Sequence, residues 1–253
     1  MAGSDIEMRN STFLLGTDLS FTYEDRAVPT IQEPKQVIVR IVATGVCGSD
    51  VHYWQHGGIG PYKVQKPIVL GHESAGIVVS CGESVKSFAA TPPYDGTLST
   101  RLEFASKKGA THTFKMRDAI PNENAIALLA SLGEPSGSDI VIDATGAQPC
   151  IKCGIESLRR GGTFVQAGLG SPKITFPVGL ICDKEAIFRG SFRYGPGDYK
   201  LAIASVASGR VDLDGFVTQT FPFLEAQGAF ETVLQKQGIK SVIWGPGVED
   251  GQY

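Results

Sequence analysis

No apolar run approaches the ~20 residues that a membrane-spanning helix requires, so no such span is expected anywhere in the sequence. Net charge is also slight: 23 Lys and Arg face 26 Asp and Glu, leaving −3. That balance argues against nucleic acid or an anionic membrane as a partner. The five cysteines, Cys47, Cys81, Cys150, Cys153 and Cys182, are odd in number and scattered. A chain of this length needs no disulfide staples, so reduced thiols are expected. Met1 to Glu7 is acidic and polar rather than apolar, which predicts no signal peptide and a cytoplasmic location. One chemical signature is missing as well. No Gly-x-Gly-x-x-Gly follows a core strand and opens a helix, as a dinucleotide-binding turn must. Gly58-Ile59-Gly60-Pro61 has neither neighbour and reads as a surface loop. Gly168-Leu169-Gly170 follows a strand but lacks the third glycine and the helix. It could still lie against a cofactor at that strand's carboxyl end.

What is present describes an ordinary globule of one large or two small domains. Gly at 31 and Pro at 14 suit many short strands and tight turns. The first hundred residues read as strands and turns with no convincing helix. Lys35 to Thr44 is predicted as a mostly buried strand, Ser74 to Ser80 as another, and Gly57–Pro61 and Pro92–Gly96 as loops. After Arg101 the rhythm changes to helices at Arg101–Lys108, from an Asn122 cap to Leu132, Pro149–Arg160, from an Asp198 cap to Gly209, and Leu224–Lys236. Strands alternate with them at Asp139–Thr145 (a fully apolar core strand), Thr163–Ala167, Ala186–Phe192, Val217–Phe221 and Lys240–Trp244. Alternation of this kind predicts an α/β fold with a parallel layer.

Chemistry concentrates in two glycine-bounded segments, Gly45-Val46-Cys47-Gly48-Ser49-Asp50 and Gly71-His72-Glu73. A lone Cys is most often a small buried hydrophobe. A thiolate, an imidazole and a carboxylate together make a zinc site with one exchangeable position, which is the mark of a catalytic rather than a structural zinc. Zinc would bind an alcohol hydroxyl and lower its pKa. Ser49, two residues after Cys47, and His52, five after it, are placed to pass the proton on. Cys150-x-x-Cys153 has no second pair and reads as thiols on a helix.

These residues resemble the zinc-containing medium-chain dehydrogenases, in particular the polyol branch of xylitol, sorbitol and arabinitol dehydrogenases. The segments that carry the resemblance are Thr44–Trp54, Val69–Gly76, Ala89–Leu98, Ile142–Ala147, Gly161–Gln166 and Lys184–Gly195. The resemblance implies a GroES-like β-barrel domain at residues 1–100, without the structural-zinc lobe. It implies a partial Rossmann-type parallel sheet domain at 101–195, and a segment at 196–253 that returns to the first domain. It implies Cys47, His72 and Glu73 around Zn2+, Ser49 and His52 as proton relays, and Tyr53 and Arg193 along a polyol pocket. Arg101, Gly168, Leu169, Phe192 and Arg193 would touch NAD. The implied partner is a small polyol, with no nucleic acid and no membrane, and homo-oligomers are common among such relatives.

Two blocks of the family pattern are missing. After Phe88 the family has further strands and a four-cysteine lobe for a structural zinc. After Leu98 it has a Glu near the zinc, the first Rossmann strand, its glycine-rich loop and the acid that holds the ribose. Loss of that central strand leaves neighbours without ladder partners, at about 1–3 kcal/mol for each buried unpaired backbone group. It also removes the amide nest for the pyrophosphate. One zinc and weak or absent NAD binding are therefore expected. Two outcomes stay open: a polyol dehydrogenase that tolerates the deletions, or a catalytically impaired homologue that keeps a zinc-binding or partner-binding barrel.

Overall fold

A computed structural model describes residues 10–34, 36–81, 99–171 and 173–248. The chain opens with β1 (Asn10–Leu15), β2 (Phe21–Arg26), β3 (Val37–Gly45), α1 (Gly48–His56), β4 (Gly58–Ile59), β5 (Tyr62–Lys63), β6 (Ile68–Val69) and β7 (Glu73–Cys81). It continues through α2 (Ser99–Lys107), α3 (Pro121–Leu132), β8 (Ser138–Asp143), α4 (Gln148–Ser157), β9 (Leu158–Gln166), α5 (Val178–Asp183) and β10 (Ile187–Gly190). It closes with α6 (Asp198–Ala207), β11 (Val217–Phe221), a 3-10 turn at Phe223–Glu225, α7 (Ala226–Leu234) and β12 (Lys240–Trp244). The expected loop at Pro92–Gly96 and the segment Ala89–Leu98 lie outside the described residues.

Residues 1–94 and 197–253 form one compact unit, and 95–196 a second. In the first unit β3 is central, with β12 and β7 antiparallel on either side and β11 parallel beyond β12. A separate sheet runs β2-β1-β6. The core gathers Phe13, Val46, Val51, Ala226, Ala229, Phe230 and Ile243. Rings do much of the packing: Phe13 stacks on Phe21 at 4.4 Å, and Phe230 meets Phe21 at 4.9 Å. Aromatic pairs in such offset or edge-on geometry add about 0.5–1.5 kcal/mol beyond burial.

The second unit holds a parallel sheet in the order β10-β9-β8. Ile151, Ile155, Leu158 and Phe164 form its core, with Phe164 stacked on Phe188 at 4.9 Å. Helix α4 covers this face. Ile140 and Ile142, pointing the other way on β8, are 63% and 65% exposed.

Several expectations are corrected here. A helix does form early, at α1. Cys47 caps it, and the Cys47 N–H donates to the Asp50 carboxylate at 3.0 Å. This is a capping-box arrangement with Cys in the place of Ser or Thr. Residues 58–59 and 62–63 pair as a short hairpin rather than forming a plain loop. Strand 37–45 forms, but Val39 and Ile41 are each 38% exposed, and Ile77 and Val78 in the paired stretch of β7 are exposed too, because nothing among the described residues packs closely over this part of the ladder. The 138–143 strand is likewise no fully buried core strand, because among the described residues nothing covers its second face. The α3 helix is capped at Ile120 with Pro121 in its first turn, where the missing N–H costs nothing. Asn122 instead donates to Glu156 at 3.1 Å. Gly197, not Asp198, caps α6. Helix α4 stops at Ser157, not Arg160, because the Lys184 amine donates to the carbonyls of Ile155, Glu156 and Leu158 at 3.0, 2.5 and 2.6 Å. The chain then turns straight into β9.

Candidate metal centre

Three neighbouring pieces of backbone place the donors. Strand β3 ends at Gly45, which lies opposite Glu73 at the start of β7. Thr44 and Ser74, one step along the same ladder, share a hydroxyl–hydroxyl hydrogen bond at 2.9 Å. Cys47 follows β3 and begins α1. His72 enters from Gly71, whose φ of +108° is a region that side chains other than hydrogen rarely adopt. A methyl there would also sit 2.8 Å from the Thr44 side chain. The result is a convergence of residues up to 26 positions apart in the chain: one donor atom each from Cys47, His72 and Glu73, all within 4.8 Å of one another.

Zinc bonds of about 2.0–2.3 Å in a tetrahedron set donors roughly 3.5 Å apart. Small side-chain rotations close that gap, so the donor set fits zinc. A thiolate, an imidazole and a carboxylate are also the ligand types that zinc prefers. His72 is 55% exposed at its side chain, which leaves one side open to an exchangeable ligand.

Asp50 was part of the quoted motif but carried no role. The structure places its carboxylate 3.3 Å from His72 Nδ1, with only 5% of its side chain exposed. A buried acid on one ring nitrogen fixes the tautomer and aims the other nitrogen at a metal. Burial pushes the Asp50 pKa up, against the pull of the Cys47 N–H, His72 and the Gly71 N–H. The signal legible in sequence was the Cys-x-x-Asp spacing, which matches a capping box.

Lys240 was the other omission. Its amine, 16% exposed, pairs with the Glu73 carboxylate, 6% exposed, and donates to the Val46 carbonyl at 3.2 Å. No spacing links residue 240 to residue 73, so the sequence alone held no signal for it.

Ser49, His52 and Tyr53 all fall on α1. Ser49 and Tyr53 are half-buried, and His52 is exposed with its ring 4.5 Å from that of His56. Desolvation, then the charges of His56 and Lys63, hold the His52 pKa below its usual value.

Gly168, Leu169, Phe192 and Arg193 follow the carboxyl ends of the adjacent strands β9 and β10 in the second unit. Leu169 and Phe192 are 64% and 63% exposed, and the Arg193 guanidinium lies 4.9 Å above the Phe192 ring. The Gly168 N–H donates to Asp143 at 2.8 Å, and a methyl at Gly168 would lie 2.3 Å from the Gly146 nitrogen. The loops after β8 and β9 therefore interlock backbone to backbone. Arg101 sits on α2, apart from these loops in the chain. This edge suits the flat ring end of a dinucleotide. Among the described residues, no strand-to-helix turn carries the glycine spacing that a pyrophosphate needs. The described residues of this unit therefore offer no fit to the phosphate half of NAD.

Cys150 and Cys153 lie on α4, with the Cys150 thiol 3.5 Å from the Met116 sulfur and Cys153 buried. No helix of the described residues is long and apolar enough to cross a membrane.

Comparison with known proteins gives two family matches. Residues 33–90 match the alcohol dehydrogenase GroES-like domain and 97–208 match the zinc-binding dehydrogenase domain. D-xylulose reductase A of Aspergillus niger is 33% identical, over 97% of this chain and 99% of its own. A probable D-xylulose reductase A of Emericella nidulans is 33% identical, over 94% and 97%. The latter alignment spans 349 positions although this chain has 253 residues. The relatives therefore carry internal segments that it lacks. An oxidoreductase of unknown specificity from Escherichia coli superposes with a TM-score of 0.79 at 21% identity, covering 96% of this chain and 100% of that one. An alcohol dehydrogenase from Thermotoga maritima gives 0.75 at 18%, covering 94% and 99%. At those identities the superpositions speak for the fold.

Proposed function

The chain belongs to the zinc-binding dehydrogenase family of oxidoreductases, and from that premise we propose that it oxidises a small polyol of the xylitol or sorbitol class, with zinc held by Cys47, His72 and Glu73. The observation that carries this reading is the convergence of those three donors within 4.8 Å. The relatives named for D-xylulose reduction support the polyol class, since reduction of a ketose and oxidation of its polyol are one reaction in two directions.

Zinc, when bound, supplies a Lewis acid that makes an alcohol hydroxyl acidic near neutral pH. Asp50 holds His72 by Nδ1 and so fixes the direction in which its other nitrogen is offered. Ser49 accepts the hydroxyl proton, and His52, with its lowered pKa and exposed ring, passes it to solvent. The reading assigns Tyr53, on the same helix, to the remaining hydroxyls of the polyol. NAD is the hydride acceptor that the reading names. Gly168, Leu169, Phe192 and Arg193 supply contacts for its ring end only, so binding is weak. The reading includes one zinc per chain, a homo-oligomer and no nucleic-acid or membrane partner.

One observation favours a second reading, a zinc-binding chain without turnover. Strand β8 stands at the sheet edge with Ile140 and Ile142 bare, where the family adds the strand that leads into its phosphate loop. Zinc analysis, NADH fluorescence titration and an assay of xylitol and sorbitol oxidation on the zinc-loaded chain separate the two. One zinc with an NADH signal and turnover supports the enzyme. One zinc with neither supports the second reading, and no zinc ends both.

A further inference from the structure

The pairing of Glu73 with Lys240 depends on a gap in the strand between them. In the sheet order β11-β12-β3-β7, β3 separates the strand of Lys240 from that of Glu73. Gly45 on β3 lies opposite Glu73 on one side and Val242 on the other. A methyl at Gly45 would sit 2.6 Å from the Glu73 carboxylate oxygen Oε2 and 2.8 Å from the Lys240 side chain at Cε. The two side chains thus meet over a residue that has none. The amine takes Oε2 of Glu73, and its second hydrogen bond goes to the Val46 carbonyl, next to Cys47. One cation is therefore tied both to the carboxylate donor and to the backbone beside the thiolate donor.

We propose that Lys240, reaching over Gly45, is a positioning residue of the metal site. It occupies one oxygen of Glu73, confines that carboxylate to a single oxygen toward the metal, and offsets one of the two negative charges that Cys47 and Glu73 bring. Both effects moderate zinc affinity and keep a coordination position for substrate. A buried ion pair holds geometry only while both partners remain, since removing one leaves an uncompensated charge. In Lys240→Met the freed carboxylate finds its counter-charge in the metal and can bind through both oxygens.

This rests on the zinc reading above, and the test separates the two. Zinc affinity of the full chain, stripped of metal, is measured by chelator competition, and the visible spectrum of the cobalt(II)-loaded chain reports coordination number. If the unsubstituted chain takes up no zinc, the zinc reading fails before any variant is made. If it does, Lys240→Met should bind zinc at least about tenfold tighter. Its cobalt absorption should weaken as coordination number rises. Lys240→Arg, which keeps the charge, should restore both. Gly45→Ala keeps both charges but parts them, and should move affinity and spectrum in the direction of Lys240→Met. Refolding in the presence of cobalt covers a variant whose metal-free form does not fold. Unchanged affinity and spectrum in Lys240→Met, or weaker zinc binding there, would overturn the proposal.

Discussion

In the unit formed by residues 1–94 and 197–253, the strand that leads to the metal donors is enclosed by β12 and β7, and the rings of Phe13, Phe21, Trp54 and Phe230 close the core beside it. In the unit formed by residues 95–196, one helix-covered face is packed around Phe164, which is fully buried, while among the described residues the opposite face is bare. Parallel sheets are normally buried on both faces. Each exposed isoleucine forgoes about 1.5–3 kcal/mol of burial. The first unit thus brings three possible metal donors together, whereas among the described residues the second unit's sheet is packed on one face.

The sharpest way to break that contrast is Cys47→Ser. It should abolish stoichiometric zinc, measured by metal analysis, while leaving circular dichroism unchanged; full retention of zinc would mean that the donors are not those assigned. Next in size is Phe164→Ala, expected to cost about 3–5 kcal/mol in denaturant unfolding, because Phe164 is fully buried in the cluster with Ile151, Ile155 and Leu158. A cost below about 1 kcal/mol would show that this core is not closed. Asp50→Asn should weaken zinc binding by about 10–100-fold, read by chelator competition, with little change in unfolding midpoint. Ile142→Glu should change stability by no more than about 0.5 kcal/mol, as for an exposed position. A loss several times larger would show that this face is covered after all.

The smallest effect is a pH slope. Burial, and then the neighbouring Cys150 and Glu156, push the Cys153 thiol above its ordinary 9.0. Below pH 9.0 the thiol is neutral folded and unfolded. As pH rises further, the unfolded chain ionises first and gains, so stability falls. Cys153→Ala should flatten the decline of the unfolding midpoint above pH 9.0, and an unaltered slope would place the cause elsewhere.

Strands 217–221 and 240–244 were legible because β-branched and aromatic residues cluster there between turn residues. Helix α1 was not, because its residues are polar and glycine-led, and its capping box substitutes Cys for the usual hydroxyl. The bare faces of β3 and β8 were invisible for another reason. An apolar run shows that a strand can be buried, and only its neighbours determine whether it is.

By itself the sequence determined the donor types, the glycines that free the backbone beside them, and the absence of a phosphate-binding turn, since each is a property of a few adjacent residues. Tertiary structure alone decided that Asp50 meets His72, that Lys240 crosses Gly45 to reach Glu73, and that Ile140 and Ile142 of the second sheet are exposed. Those outcomes depend on which strands become neighbours. Strand order is fixed by burial summed over the whole unit, and no local spacing records it.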